Sequence, residues 1–105
     1  MILLAVVLSQ KSYGETGTRL HNIWIHMKQR CYDQNYTKYR YWGGKGIQIC
    51  PEWFIYENFR DWANSNGYNK HLTIDRIDGS KNYYPENCRW ATPAEQNRNR
   101  NFIKT

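Results

Sequence analysis

The 105-residue chain predicts a small single domain of α+β class, and three observations carry that reading. Two stretches place apolar residues at helical spacing, LTID and CRWA alternate like short strands, and TPAE after the second strand is written like a helix start. The order is then a helix, a Gly-rich turn with a short strand, a second helix, and a C-terminal module of strand, loop, strand and helix.

The first helix is expected in TRLHNIWIHMKQRC, where Leu20, Ile23, Trp24, Met27 and Cys31 fall on one face and Thr18 is placed to cap. Arg19, Asn22, Lys28 and Gln29 make the opposite, solvated face. His21 and His26 read as surface or satisfied core histidines rather than ligands, since they lack the i, i+4 spacing of a helical metal pair.

After the Tyr- and Asn-rich YDQNYTKYRY, the stretch WGGKGIQIC offers glycines for a tight backbone path and an IQI alternation like a short strand. Arg40 and Lys45 bracket that turn and are candidates for phosphate contact. Pro51 opens PEWFIYENFRDWANSNG as one helix, with Ile55, Phe59, Trp62 and Ala63 on its packing face and Gly67 as its stop.

In the C-terminal module, the alternation of LTID puts Leu72 and Ile74 on one face and Thr73 and Asp75 on the other, outside the core layer. DGSKNYYPEN is a polar turn. The return strand CRWA pairs Cys88 with Trp90 on one face and sets Arg89, with Asn87 before it, on the other. In TPAE, Thr92 caps, Pro93 takes the first helical position and Glu95 reaches back to the cap amide. The helix then presents Gln96, Asn97 and Asn99, followed by Arg98 and Arg100.

The chain carries 15 Lys and Arg against 9 Asp and Glu, a formal charge of +6, which favours a polyanionic partner, nucleic acid first. With 5 Trp and 9 Tyr, aromatic side chains must fill the core. Three cysteines, an odd number without a convincing export signal, read as free thiols in a reducing compartment. MILLAVVL is too short to span a bilayer and lacks a cleavage site, so residues 1–12 read as an apolar leader and no membrane partner is expected.

Taken together, IDRID followed by NYYPENCRWATPAEQNRNR resembles the ββα-metal core of HNH endonucleases of the phage and mobile-intron type. YGETGTRLHNIW, MKQRCYD, YWGGKGIQIC and PEW resemble the amino-terminal half of the same proteins, so the likeness spans roughly nine tenths of the chain. It divides residues 13–105 into a DNA-contacting part over 13–70 and a metal core over 71–101. It implies a phage- or mobile-element-encoded enzyme in the cytoplasm of a bacterial host, hydrolysing phosphodiester bonds of double-stranded DNA as a nicking monomer or as a homodimer.

The resemblance also implies roles. Asp75 falls on the metal-binding strand position, Asn87 on the asparagine that organises the loop, and Gln96 on the second metal position, with Asn97 and Asn99 as substitutes for one Mg²⁺ or Mn²⁺. The histidine that serves as general base is here Arg76, which cannot accept a proton and is better suited to holding the scissile phosphate. A restriction-enzyme branch of the group shares that arginine and uses a loop tyrosine, matched by Tyr83; Tyr84 and His71 are rival bases. Arg40, Lys45, Arg89, Arg98 and Arg100 would bind backbone phosphates.

Two other readings compete. One is a DNA-binding module of the same fold that has lost catalysis, motivated by the missing histidine. The other is a zinc-stabilised interaction domain built from Cys31, Cys50, Cys88 and a histidine such as His26, which the absence of a CxxC pair disfavours.

Overall fold

A computed structural model describes residues 17–97. The apolar leader, Arg98, Asn99 and Arg100 lie outside the described residues. The described chain is α+β: helix α1 (Arg19–Tyr32), helix α2 (Tyr56–Ser65), strands β1 (Thr73–Arg76) and β2 (Cys88–Ala91), and a helix α3 that starts at 93. Single 3-10 turns at Tyr39–Tyr41, Gly43–Lys45, Pro51–Phe54 and Pro85–Asn87 shape the connections. Among the described residues no helix is long and apolar enough to cross a membrane.

Helix α1 begins where Thr18 Oγ1 accepts a hydrogen bond from the His21 amide at 3.2 Å, which satisfies one of the orphan donors of the first turn. Its buried side chains are Leu20, His21, Trp24, Met27 and Cys31. Against them α2 buries Tyr56, Phe59 and Ala63. Trp53 closes the layer, and its carbonyl accepts the Trp24 indole N–H at 2.7 Å. Arg19 is exposed, as the sequence implies, and also donates to the Leu72 carbonyl at 2.7 Å and to the Tyr68 hydroxyl at 3.1 Å. The start of α1 is thereby tied to the chain entering β1.

Two expectations are corrected here. PEWFIYENFRDWANSNG is not one helix: Ile55 is extended (φ −98°, ψ 116°) and separates the Pro51 turn from α2. The break turns Trp53 into the core while Ile55 remains 40 % exposed. At its far end α2 does stop at Gly67, whose φ of +90° only glycine adopts at little cost. Nor does IQI make a strand. It forms one parallel bridge, Ile49 with Tyr83, because its partner is a loop and not a second extended segment.

That bridge nonetheless positions the C-terminal module. The Tyr83 amide donates to the Gln48 carbonyl at 2.9 Å and the Cys50 amide to the Tyr83 carbonyl at 2.8 Å. The Gly-rich turn before it runs against the end of α1. A Cβ at Gly43 would collide with the Cys31 carbonyl and the Tyr39 ring, so the close approach requires glycine.

Strands β1 and β2 pair antiparallel, with Thr73 opposite Ala91, Ile74 opposite Trp90, Asp75 opposite Arg89 and Arg76 opposite Cys88. Ile74 and Cys88 enter the core, and Trp90 leans on Phe59, Trp62 and Tyr68. Helix α3 opens with a reciprocal capping box: the Thr92 amide donates to Glu95 Oε1 at 2.8 Å and the Glu95 amide to Thr92 Oγ1 at 3.1 Å.

Candidate functional site

Strand β1, the β1–β2 connection and the start of α3 form one wall of a cleft of about 440 Å³, and α1 forms the other. Thr73, Asp75 and Arg76 reach it from β1, Tyr83 from the connection and Gln96 from α3. Ile23, His26 and Arg30 line it from α1, and Trp42 closes one end. The spacing on α1 explains the second wall: 23, 26 and 30 follow each other at three and four residues, so they share one face.

Asp75 stands outside the apolar core cluster, as the strand alternation implies, and is nonetheless only 9 % exposed. Strand alternation sends it away from Ile74, and its cross-strand neighbour Arg89 lies against it there. Arg89 Nε donates to Asp75 Oδ2 at 3.0 Å. The arginine side chain is 43 % exposed, so this charge-assisted bond links the cleft to the protein surface.

Gln96 is half-buried and its amide bridges helix to strand. Nε2 donates to the Ile74 carbonyl at 3.1 Å, and Oε1 accepts from the Thr73 hydroxyl at 3.3 Å. Asn97 is exposed and does not line the cleft, while Asn99 lies outside the described residues. The side-chain oxygens that β1 and α3 bring to the cleft are a hydroxyl (Thr73), a carboxylate (Asp75) and an amide carbonyl (Gln96), and oxygen groups of these types are what hard divalent cations take as ligands. Among the described residues no three His, Cys, Asp or Glu side chains gather as a metal-ligating group.

Arg76 lines the cleft; its NH1 donates to the Gly79 carbonyl at 2.6 Å and to the Lys81 carbonyl at 2.8 Å, holding the turn, and its guanidinium lies 5.3 Å from the centre of the Tyr83 ring. Asn87 is the second brace of the same turn. Its Nδ2 donates to the carbonyls of Asp78 (3.1 Å) and Asn82 (2.9 Å), and its Oδ1 accepts from the Asp78 amide at 2.9 Å. Asn87 is buried and does not line the cleft.

Tyr83, expected on a loop, is 3 % exposed and belongs to the core. Its hydroxyl accepts from Arg30 Nε at 3.2 Å, and the Arg30 guanidinium also lies 5.3 Å from the Trp42 ring centre, a stacked setting that orients an arginine. His71 is exposed and lies outside the cleft; its amide donates to Asn69 Oδ1. Tyr84 is half-buried and does not line it either. Arg40, Lys45 and Arg89 are exposed, with Arg40 stacked on Tyr41.

His26 and Arg30 were missed as cleft residues. The signal was present in the i, i+3, i+7 series of Ile23, His26 and Arg30, but it reads equally as a flank of the apolar stripe. Burial pushes the Cys31 thiol up to about 11 and Cys88 to about 12, and raises Cys50 in the same direction. All three are free cysteines and none is activated as a nucleophile. Comparison with protein-family models, with curated proteins and with solved structures gave no match.

Proposed function

We propose that this chain is a metal-dependent DNA endonuclease of the HNH type, nicking double-stranded DNA by phosphodiester hydrolysis. The observation that carries the reading is the convergence of Asp75, Arg76, Tyr83 and Gln96 on one cleft, built by a strand, loop, strand and helix in that order. The net charge of +6 supports a polyanionic substrate.

Asp75 and Gln96 would hold one Mg²⁺ or Mn²⁺ through oxygen atoms. When bound, such an ion polarises the phosphoryl group and offsets the negative charge that grows in hydrolysis. The residues of the chain do the rest. Arg30, half-buried and oriented by Trp42 and Tyr83, receives a phosphodiester oxygen. Arg76 and Asn87 keep the turn in one shape and so keep Tyr83 and Arg30 in register. Arg89 holds the Asp75 carboxylate, and with Arg40, Lys45, Arg98 and Arg100 it contributes charge for backbone phosphates. The products would be 5′-phosphate and 3′-hydroxyl ends.

The test is conversion of supercoiled plasmid with Mg²⁺, with Mn²⁺ and with chelator, beside Asp75→Ala purified identically. Nicking that needs metal and is lost in the variant supports the reading. Equal nicking by both proteins, or none by either, ends it.

One observation favours a DNA-binding module without catalysis: Asp75 and Gln96 each already bond within the fold, to Arg89 and to β1. That reading expects salt-sensitive DNA binding, no turnover, and binding by Asp75→Ala that matches wild type.

A further inference from the structure

We propose that His26 is the proton acceptor for the attacking water, supplied by α1 rather than by the strand, loop, strand and helix module. The proposal rests on the nuclease reading and deepens it. Arg76 stands where a base would follow the strand aspartate and cannot take a proton. Tyr83 carries a hydroxyl already bonded to Arg30 and a ring within the core, and a phenol must shed its own proton before it can accept another. Asp75 is paired with Arg89. Among the described residues of the cleft, His26 is the remaining group with a nitrogen lone pair ready in its neutral form.

Its placement suits the task. His26 is exposed on the α1 wall, one helical turn before Arg30, and the i, i+4 spacing sets imidazole and guanidinium side by side. A phosphodiester oxygen held by Arg30 would leave the phosphorus beside His26, with Asp75 across the cleft. In the step, the water oxygen bonds to phosphorus while the bond from phosphorus to the 3′ oxygen breaks. One water proton passes to His26, and the departing 3′ oxygen takes a proton from solvent. His26 then returns its proton to solvent, so the balance is one water consumed per diester cleaved.

The experiment follows single-turnover nicking of supercoiled plasmid in Mg²⁺ buffer by wild type, Asp75→Ala, His26→Ala and His26→Gln, with added imidazole as a fifth condition. Mg²⁺ prefers oxygen ligands and leaves the imidazole unbound. Thermal melting and DNA binding are measured on the same preparations. The expected result is a fall of about 100-fold or more in the nicking rate of both His26 variants. Binding and melting should stay at wild-type values, and added imidazole should restore part of the rate in His26→Ala alone. Nicking by His26→Ala within about 3-fold of wild type overturns the proposal and leaves the nuclease reading standing. So does a loss that follows DNA binding, or one that imidazole leaves unrestored. Wild type that never nicks removes the nuclease reading and this proposal together.

Discussion

The helical half and the C-terminal module are held together by different physics. Between α1 and α2 the contacts are aromatic and buried: Trp24, Trp53, Tyr56 and Phe59 are each at most 8 % exposed, and Trp53 meets Phe59 edge to face with centroids 5.1 Å apart. Stability there scales with apolar area removed from water and with close packing. In the module, a two-stranded ribbon of four residues a side buries little by itself. Its shape comes from bonds made by Asn87, Arg76, Asp75 and Gln96. The lesson is a division of labour: the apolar layer fixes α1 in place with His26 and Arg30 on its cleft face, and the polar module sets Asp75, Arg76, Tyr83 and Gln96 opposite them.

That division can be broken at its strongest point. Phe59 is fully buried, and Phe59→Ala should lower unfolding free energy by about 3–5 kcal/mol; urea titration followed by Trp fluorescence measures it. A loss under about 1 kcal/mol would show that the aromatic layer is not what holds the helices.

The corresponding attack on the polar half is Asn87→Ala, which removes three hydrogen bonds and strands the Asp78 amide. The expected cost is about 2–3 kcal/mol, smaller than for Phe59, yet accompanied by faster amide exchange confined to 77–87. Exchange that accelerates equally in α1 would mean that the module and the helical half open as one unit.

A pH titration sharpens the contrast from the apolar side. Cys31 and Cys88 have folded-state values raised to about 11 and about 12 from the ordinary 9.0. Protonated thiols therefore favour the fold below pH 9, and this contribution declines as pH rises through 9 toward 11 and 12. Melting followed between pH 7 and pH 11 should fall over the upper part of that range. In alkylation at neutral pH, half-buried Cys50 should react before either of the others.

The smallest effect is expected where the halves meet. Among the described residues, Trp90 Nε1 is buried with no hydrogen-bond partner, so Trp90→Phe removes an unsatisfied donor along with some packing against Phe59 and Trp62. The two nearly cancel, and the change should stay within about 1 kcal/mol. A larger loss in thermal melting would reveal that the indole N–H is bonded in solution.

Local signals were legible because they depend on neighbours in the chain. The Thr18 cap, the Gly67 stop, the Thr92 and Glu95 capping box, and the pairing of LTID with CRWA are all visible as patterns of a few residues. Where patterns failed, a distant contact had decided. Ile55 is extended and Trp53 enters the core before it, and IQI meets the β1–β2 connection through the Ile49–Tyr83 bridge.

The candidate site divides along the same line. Asp75 and Gln96 can be singled out from a short module whose order is written locally, whereas the roles of Arg76 and Tyr83 come only from the resemblance to HNH endonucleases. Arg30 and Tyr83, 53 positions apart, could not be joined, since nothing in a helix's own spacing says what covers its flank. By itself the sequence determined the first helix, the paired strands, the caps and the charge that favours a polyanion, but not the break at Ile55 or the single bridge at Ile49. The tertiary structure alone decided that Asp75 is buried, that Tyr83 belongs to the core, and that His26 faces the cleft. Those outcomes depend on which surface packs on which, and packing is settled by the whole chain at once.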